Sequence, residues 1–283
     1  MNGVSALSWT GRADVRDEAA RRRAPGELAL RLASAAVLIP AGLYMVWTGG
    51  VWLAAGAGLF AAAMGYEWAR MSGQRPTWLA ALLASLPNLV VPLATFGAGL
   101  AVLLIAAIGF AAVNWRAAPM AAFGLLYAGG MPLALQVLRG GPWDGQAAAL
   151  IFMAIVWASD SAAYFAGRGF GGPPLSPRDS PNKTWSGALG AIACCALCGV
   201  IAAGLLGAAP LPWAISGAAV SALAQLGDLF ESQLKRRYGV KDASGLVPGH
   251  GGVMDRVDSL GAVCVGVVVV FLGWPEAAAR LGF

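Results

Sequence analysis

The chain has 283 residues, of which 58% are hydrophobic and only 12% charged, with a mean hydropathy of +0.68. Soluble domains are about half apolar and about a quarter charged, so a water-soluble globule is excluded and lipid is the solvent for most of this chain. The net charge of +5 does not indicate nucleic acid, because the basic residues lie between apolar blocks and are not interleaved with exposed aromatics; anionic lipid headgroups and a polyphosphate ligand explain them better.

In chain order, residues 1–27 form a polar, arginine-bearing segment, and the apolar run after it lacks the short length and small-residue cleavage site of a secretory signal. Residues 28–283 are expected to form one membrane-embedded domain. Within it, apolar blocks run over 30–48, 51–70, 78–95, 97–115, 120–138, 147–167, 185–206, 210–234 and 257–274. Each is near the roughly 20 residues that cross a bilayer core as a helix. The expected fold is therefore all-α and polytopic, with about nine transmembrane helices; the stretch with Pro87, Pro92, Gly97 and Gly99 is the hardest to divide. Cys194, Cys195 and Cys198 share one block and Cys264 lies in another, which reads as small buried thiols and not as a disulfide framework or metal site.

Two polar, Gly/Pro-rich stretches remain, 168–184 and 235–256, both long enough to form a site. Positive charge is retained on the cytoplasmic side of a membrane. With the N-terminus cytoplasmic and nine crossings, 17 of the 19 Lys and Arg residues fall on that side, leaving only Arg139 and Arg280 opposite. Both long loops then face the cytoplasm, in the plasma membrane or inner membrane of a cell.

A carboxylate near the middle of a transmembrane helix costs about 2.5–3.5 kcal/mol on insertion scales and is a functional candidate by default. Asp160 and Asp228 are such residues. Asp160, Tyr164 and Arg168 recur at i, i+4 and i+8, so they share one helical face. Gln225, Asp228, Ser232 and Lys235 do the same in the eighth block. The bland alternative for either aspartate is a buried ion pair that locks helices together. Asp255 and Asp258 fall on one face of the first turn of the last helix, behind Gly249, Gly251 and Gly252, whose freedom lets backbone amides approach a ligand. Two carboxylates at that spacing suit a hard divalent cation such as magnesium, with Asp228 as a third ligand; helix capping is the competing account. His250 is the only histidine and sits in the same loop, where it either contacts phosphate or makes a structural hydrogen bond.

The run Ser232-x-Leu234-Lys235-Arg236, four residues, Lys241-Asp242, then His250-Gly251-Gly252-x-x-Asp255-Arg256-x-Asp258 resembles the signature of the phosphatidate cytidylyltransferase family over 27 residues. Asp160-Ser161-Ala162-Ala163-Tyr164 with Gly167-Arg168, and Ser180-Pro181-Asn182-Lys183-Thr184-Trp185-Ser186-Gly187, are similar to two further family segments. Departures are Val247, where a bulkier apolar residue is usual, and Asn182 and Ser186, which replace a more typical lysine and glutamate; no role of that glutamate carries over. The resemblance implies conversion of CTP and phosphatidate to CDP-diacylglycerol and pyrophosphate with magnesium. It implies that Ser232, Lys235, Lys241, Asp242, His250, Asp255, Arg256 and Asp258 belong to the catalytic segment. Asp160, Tyr164, Arg168, Lys183, Lys235, Arg236, Lys241, Gly251 and Gly252 are expected at the substrates, and Asp228, Asp255 and Asp258 at the metal. A membrane transporter or flippase using intramembrane aspartates is the alternative reading. A homodimer through small-residue helix faces is compatible with the composition, but Gly and Ala are too abundant for that to discriminate.

Overall fold

The computed structural model describes residues 25–140, 145–247, 249 and 251–273. Nine α-helices fall in these residues, one on each apolar block: α1 (Pro25–Thr48), α2 (Gly50–Met71), α3 (Thr77–Val90), α4 (Phe96–Val113), α5 (Ala118–Arg139), α6 (Gly145–Phe170), α7 (Trp185–Leu206), α8 (Pro210–Arg237) and α9 (Met254–Gly273). Helices are what such blocks must form in lipid, because every backbone N–H and C=O then finds its partner within the segment. Among the described residues, five helical stretches are long and apolar enough to cross a membrane: Phe96–Val113, Trp115–Arg139, Gly145–Phe170, Trp185–Leu205 and Pro210–Arg237. α3 has 14 residues, about 21 Å at 1.5 Å per residue, and α2 carries Glu67 and Arg70 near its end.

The Pro-rich division resolves locally. α3 runs through Pro87 and stops in a short 3-10 turn, Val91–Leu93, whose Pro92 cannot donate to a continuing helix. Thr95 then starts α4 by accepting from the Ala98 amide at 3.2 Å. The stretch 168–184, expected as a loop, holds the last turn of α6 and a small antiparallel hairpin, β1 (Pro174–Ser176) and β2 (Ser180–Thr184). Its turn is closed by Ser176, which donates to Asp179 at 2.9 Å. The fold is thus helical with one hairpin added. α8 also runs three residues past the expected 234, so Lys235, Arg236 and Arg237 form its last turn.

α2, α3, α4 and α5 pack as one group and α6, α7 and α8 as a second, while α9 lies against both α5 and α8. Two apolar cores follow. One is built from Val46, Leu53, Leu138, Phe152, Val156, Val220 and Val263, the other from Met64, Trp68, Phe110, Leu125, Met131 and Met254. Small residues set the helix approach, as expected where lipid offers no hydrophobic drive: a Cβ on Gly65 of α2 would stand 2.7 Å from the Ala80 carbonyl of α3. All four cysteines are free thiols, and Cys195 and Cys264 are buried in the first core.

Candidate active site

The C-terminal ends of α2, α6 and α8 and the start of α9 meet at one end of the bundle, and buried polar side chains join them. The deepest chain begins on α5. Trp68 of α2 packs edge-on against Phe123 at 5.3 Å and donates its indole N–H to the Met120 carbonyl at 3.1 Å, which fixes the aromatic layer containing Tyr127. The Tyr127 hydroxyl donates to Glu231 at 2.9 Å. Glu231 also receives Lys235 Nζ, one helical turn on, at 3.2 Å, and Lys235 reaches across to Asp255 Oδ1 at 2.5 Å. The other oxygen of Asp255 accepts from the amides of Ala243 at 3.0 Å and Gly252 at 2.8 Å. Burial of such charges is tolerated only when they are paired and hydrogen-bonded, and here the pairing ties α5, α8 and α9 together.

A second buried carboxylate, Glu67 of α2, is fully enclosed. Its Oε1 accepts from Ser244 Oγ at 2.5 Å and from the Val253 amide at 2.8 Å, and its Oε2 accepts from the Met254 amide at 2.8 Å. The amides of Gly252, Val253 and Met254 are therefore engaged by carboxylates, so the Gly252 amide is not among those that the glycines leave open to a ligand. Gly252 is required for a different reason: a Cβ there would stand 2.8 Å from Glu67 Oε1 and 3.1 Å from Asp255 Oδ2. Gly251 has φ +85°, and its carbonyl accepts from the Val247 amide at 2.8 Å.

A third group is closer to the surface. Lys183 of β2 forms an ion pair with Asp228 of α8. The charges that act on Asp160 of α6 are Asp228, Lys183 and Arg256, and those that act most on Asp258 of α9 are Asp228, Lys235 and Lys183. The structure thus assembles Asp160, Lys183, Asp228, Lys235, Asp255, Arg256 and Asp258 from four elements. Ser232 is half-buried on the same helix, one turn below Arg236. Gln225, on the same face, donates to the Ala188 carbonyl at 3.3 Å and to Ser221 at 3.2 Å, and Ser221 meets Ser159 at 2.7 Å; this part of the face holds α6, α7 and α8 together. Other expected residues lie outside the cluster. Lys241 and Asp242 are exposed. Arg236 is exposed and donates to the Val240 carbonyl at 3.3 Å. Arg168 donates to the Tyr164 hydroxyl at 2.7 Å on an exposed face beside Phe165 and Phe170, 71% and 85% exposed. His250 lies outside the described residues.

Sequence reasoning missed Glu67, Glu231 and Tyr127. The signal for both glutamates was present, since each lies in an apolar block, 51–70 and 210–234, where the rule that selected Asp160 and Asp228 applies equally.

Among the described residues no group of three or more His, Cys, Asp or Glu is placed to hold a metal ion. Magnesium does not need one, since it typically takes one or two carboxylates and completes its shell with water and substrate phosphates. Asp228 and Asp258 fit that demand: the Asp228 charge acts on Asp258, Asp228 is paired with Lys183, and Asp258 accepts from the Ser259 amide at 2.7 Å. Asp255 fits less well, with both oxygens already engaged. Carboxylates also outnumber cations in the cluster, which favours a divalent cation.

Residues 29–273 match the family model described as "Cytidylyltransferase family". The chain is 40% identical over 252 residues to the phosphatidate cytidylyltransferase of Brucella suis biovar 1, covering 82% of this chain and 89% of that protein. Against the phosphatidate cytidylyltransferase of Pseudomonas aeruginosa the identity is 37% over 259 residues, covering 82% and 92%. Against that of Haemophilus influenzae it is 40% over 177 residues, covering 58% and 62%.

Proposed function

Because this chain belongs to the cytidylyltransferase family, we propose that it transfers the cytidylyl group of CTP to phosphatidate, giving CDP-diacylglycerol and pyrophosphate in phospholipid synthesis. The observation that carries this reading is the pairing of Lys183 with Asp228 and of Lys235 with Asp255, which brings carboxylates and cations of β2, α8 and α9 to one end of the bundle. An oxygen of the phosphatidate phosphate forms a bond to the α-phosphorus of CTP, and the bond from that phosphorus to the oxygen bridging to the β-phosphorus breaks. The attacking oxygen is already anionic, so the chemistry has little need of a strong base. The task is to bring two polyanions together and to hold the charge that develops on the leaving pyrophosphate.

The residues divide accordingly. Arg256 and Lys183, beside the carboxylates, and the exposed Lys241 and Arg236 supply cations to the two phosphate chains. Lys235 already donates to Glu231 and Asp255; a lysine has three N–H donors, which leaves one for substrate. Its first task is to fix Asp255. A magnesium ion held by Asp228 and Asp258 would supply Lewis-acid neutralisation of phosphate charge. The exposed Tyr164–Arg168 pair, with Phe165 and Phe170 beside it, suits a membrane interface, where aromatic rings sit at headgroup depth, and is assigned to the lipid phosphate.

A lipid substrate and a soluble nucleotide require a site at the membrane surface. Nine crossings with the N-terminus cytoplasmic supply one, since 17 of 19 basic residues then lie on the cytoplasmic side. That the ends of α2, α6 and α8 and the start of α9 share one end of the bundle supports the alternation such a topology requires. The transporter reading is not favoured: the charged residues gather where helices meet the hairpin and the α8–α9 connection, not at a midplane break in a helix. The test is to add CTP labelled at the α-phosphorus to membranes containing the protein. Label should enter the lipid fraction when phosphatidate is supplied and not otherwise. Accumulation of unchanged phosphatidate or nucleotide across a sealed membrane would favour transport.

A further inference from the structure

The first amides of a helix have no partner within it and carry the positive end of its dipole. They are usually satisfied by a Ser, Thr, Asp or Asn at the N-cap. In α9 the residue before the helix is Val253, which has no side-chain acceptor. The cap comes instead from Glu67, whose carboxylate accepts from the Val253 and Met254 amides 186 and 187 positions further along the chain, and from Ser244 Oγ. Ser244 in turn accepts from the Leu246 amide at 3.0 Å, which folds the connection after Ala243 onto the same carboxylate. A Cβ at position 252 would stand 2.8 Å from Glu67 Oε1 and 3.1 Å from Asp255 Oδ2, so any larger residue there displaces the capping carboxylate. Glu67 is fully enclosed and 2.8 Å from both helix amides, so substrate cannot reach it.

We propose that Glu67 is a positioning residue for the transfer reaction. It docks the start of α9, and with it Arg256 and Asp258, and the α8–α9 connection at Ser244 onto α2 before any nucleotide binds. This rests on the reading of the chain as a CTP-using transferase. The geometry explains why a carboxylate is required: its two oxygens face three donors. Glutamine presents one oxygen and an NH2 group, so an N–H must face another N–H unless a contact opens.

The test compares Glu67→Gln, Glu67→Asp and Ser244→Ala with the unmodified chain in detergent. Loss of folded enzyme alone lowers the maximum rate and leaves KM for CTP unchanged. A misplaced α9 start raises KM for CTP, by about tenfold for Glu67→Gln and by less for Ser244→Ala. Glu67→Asp, which keeps both oxygens, should recover part of that rise. Hydrogen exchange at the Val253 and Met254 amides, measured without substrate, should quicken about tenfold in Glu67→Gln. An unchanged KM for CTP in folded Glu67→Gln overturns the proposal, and if that variant does not fold, an unchanged KM in Ser244→Ala does so. Should the unmodified chain make no nucleotide-linked lipid, the functional reading fails, while unchanged exchange at those two amides would separately overturn the positioning role.

Discussion

Asp255→Asn separates a structural carboxylate from a metal ligand. Asp255 Oδ1 meets Lys235 Nζ at 2.5 Å, and Oδ2 accepts from the Ala243 and Gly252 amides, with the side chain 4% exposed. Asparagine can turn its single oxygen toward the two amides, but its NH2 group then faces the ammonium of Lys235. A hydrogen bond to a charged group contributes about 1.5–3 kcal/mol, and removing one member of a buried ion pair costs about 3–5 kcal/mol. Glu231 remains 3.2 Å from Lys235 and softens the loss, so the low end applies, about 3 kcal/mol. At roughly 2–4 °C per kcal/mol for a chain of this order of size, the melting temperature should fall by about 6–12 °C. Intrinsic tryptophan fluorescence on heating, in detergent, reads this from the 11 tryptophans. The Lys235→Met change should cost less in the Asp255→Asn background than alone, since the two share one interaction. A melting temperature within about 1 °C of the unmodified chain would show that this pair does not hold α9 to α8, and would return Asp255 to the metal.

Asp258→Asn and Asp228→Asn should leave melting nearly unchanged and lower turnover by on the order of a thousandfold, because the charge that neutralises phosphate is lost; near-normal rates in either folded variant contradict the assignment. Lys241→Ala should raise KM for CTP with no effect on melting, since Lys241 is exposed and has no packing task; unchanged kinetics over a range of CTP concentrations would make it an ordinary solvated lysine. A single cysteine placed after Phe283 should react with an impermeant reagent from outside intact cells. Labelling only after the membrane is broken would refute nine crossings from a cytoplasmic N-terminus.

The helices were legible because lipid imposes one rule on every block, and each apolar run became one helix. Their ends were less so: α8 carries Lys235–Arg237 as a last turn, since basic side chains at a helix C-terminus complement its dipole, whereas composition alone reads three charges as loop. The hairpin at 174–184 has neither alternation nor β-branched enrichment, so no periodicity marked it. Within the site, Asp160, Asp228, Asp255 and Asp258 were legible from spacing on helical faces. What each carboxylate does was not, because the partners are tertiary. Glu67 acts on amides more than 180 positions away, and Lys235 chooses Asp255 from another helix. The glycines show the same limit. Their presence signalled close approach, but only the packing shows that the groups approaching Gly252 are Glu67 and Asp255.

The most direct test uses the purified chain in vesicles containing phosphatidate, with CTP labelled at the α-phosphorus, with and without a chelator of divalent cations. The account predicts one nucleotide-linked lipid formed per pyrophosphate released, abolished by the chelator and restored by magnesium. Folded protein that leaves CTP intact in the presence of phosphatidate and magnesium, or that hydrolyses it without phosphatidate, would contradict the account.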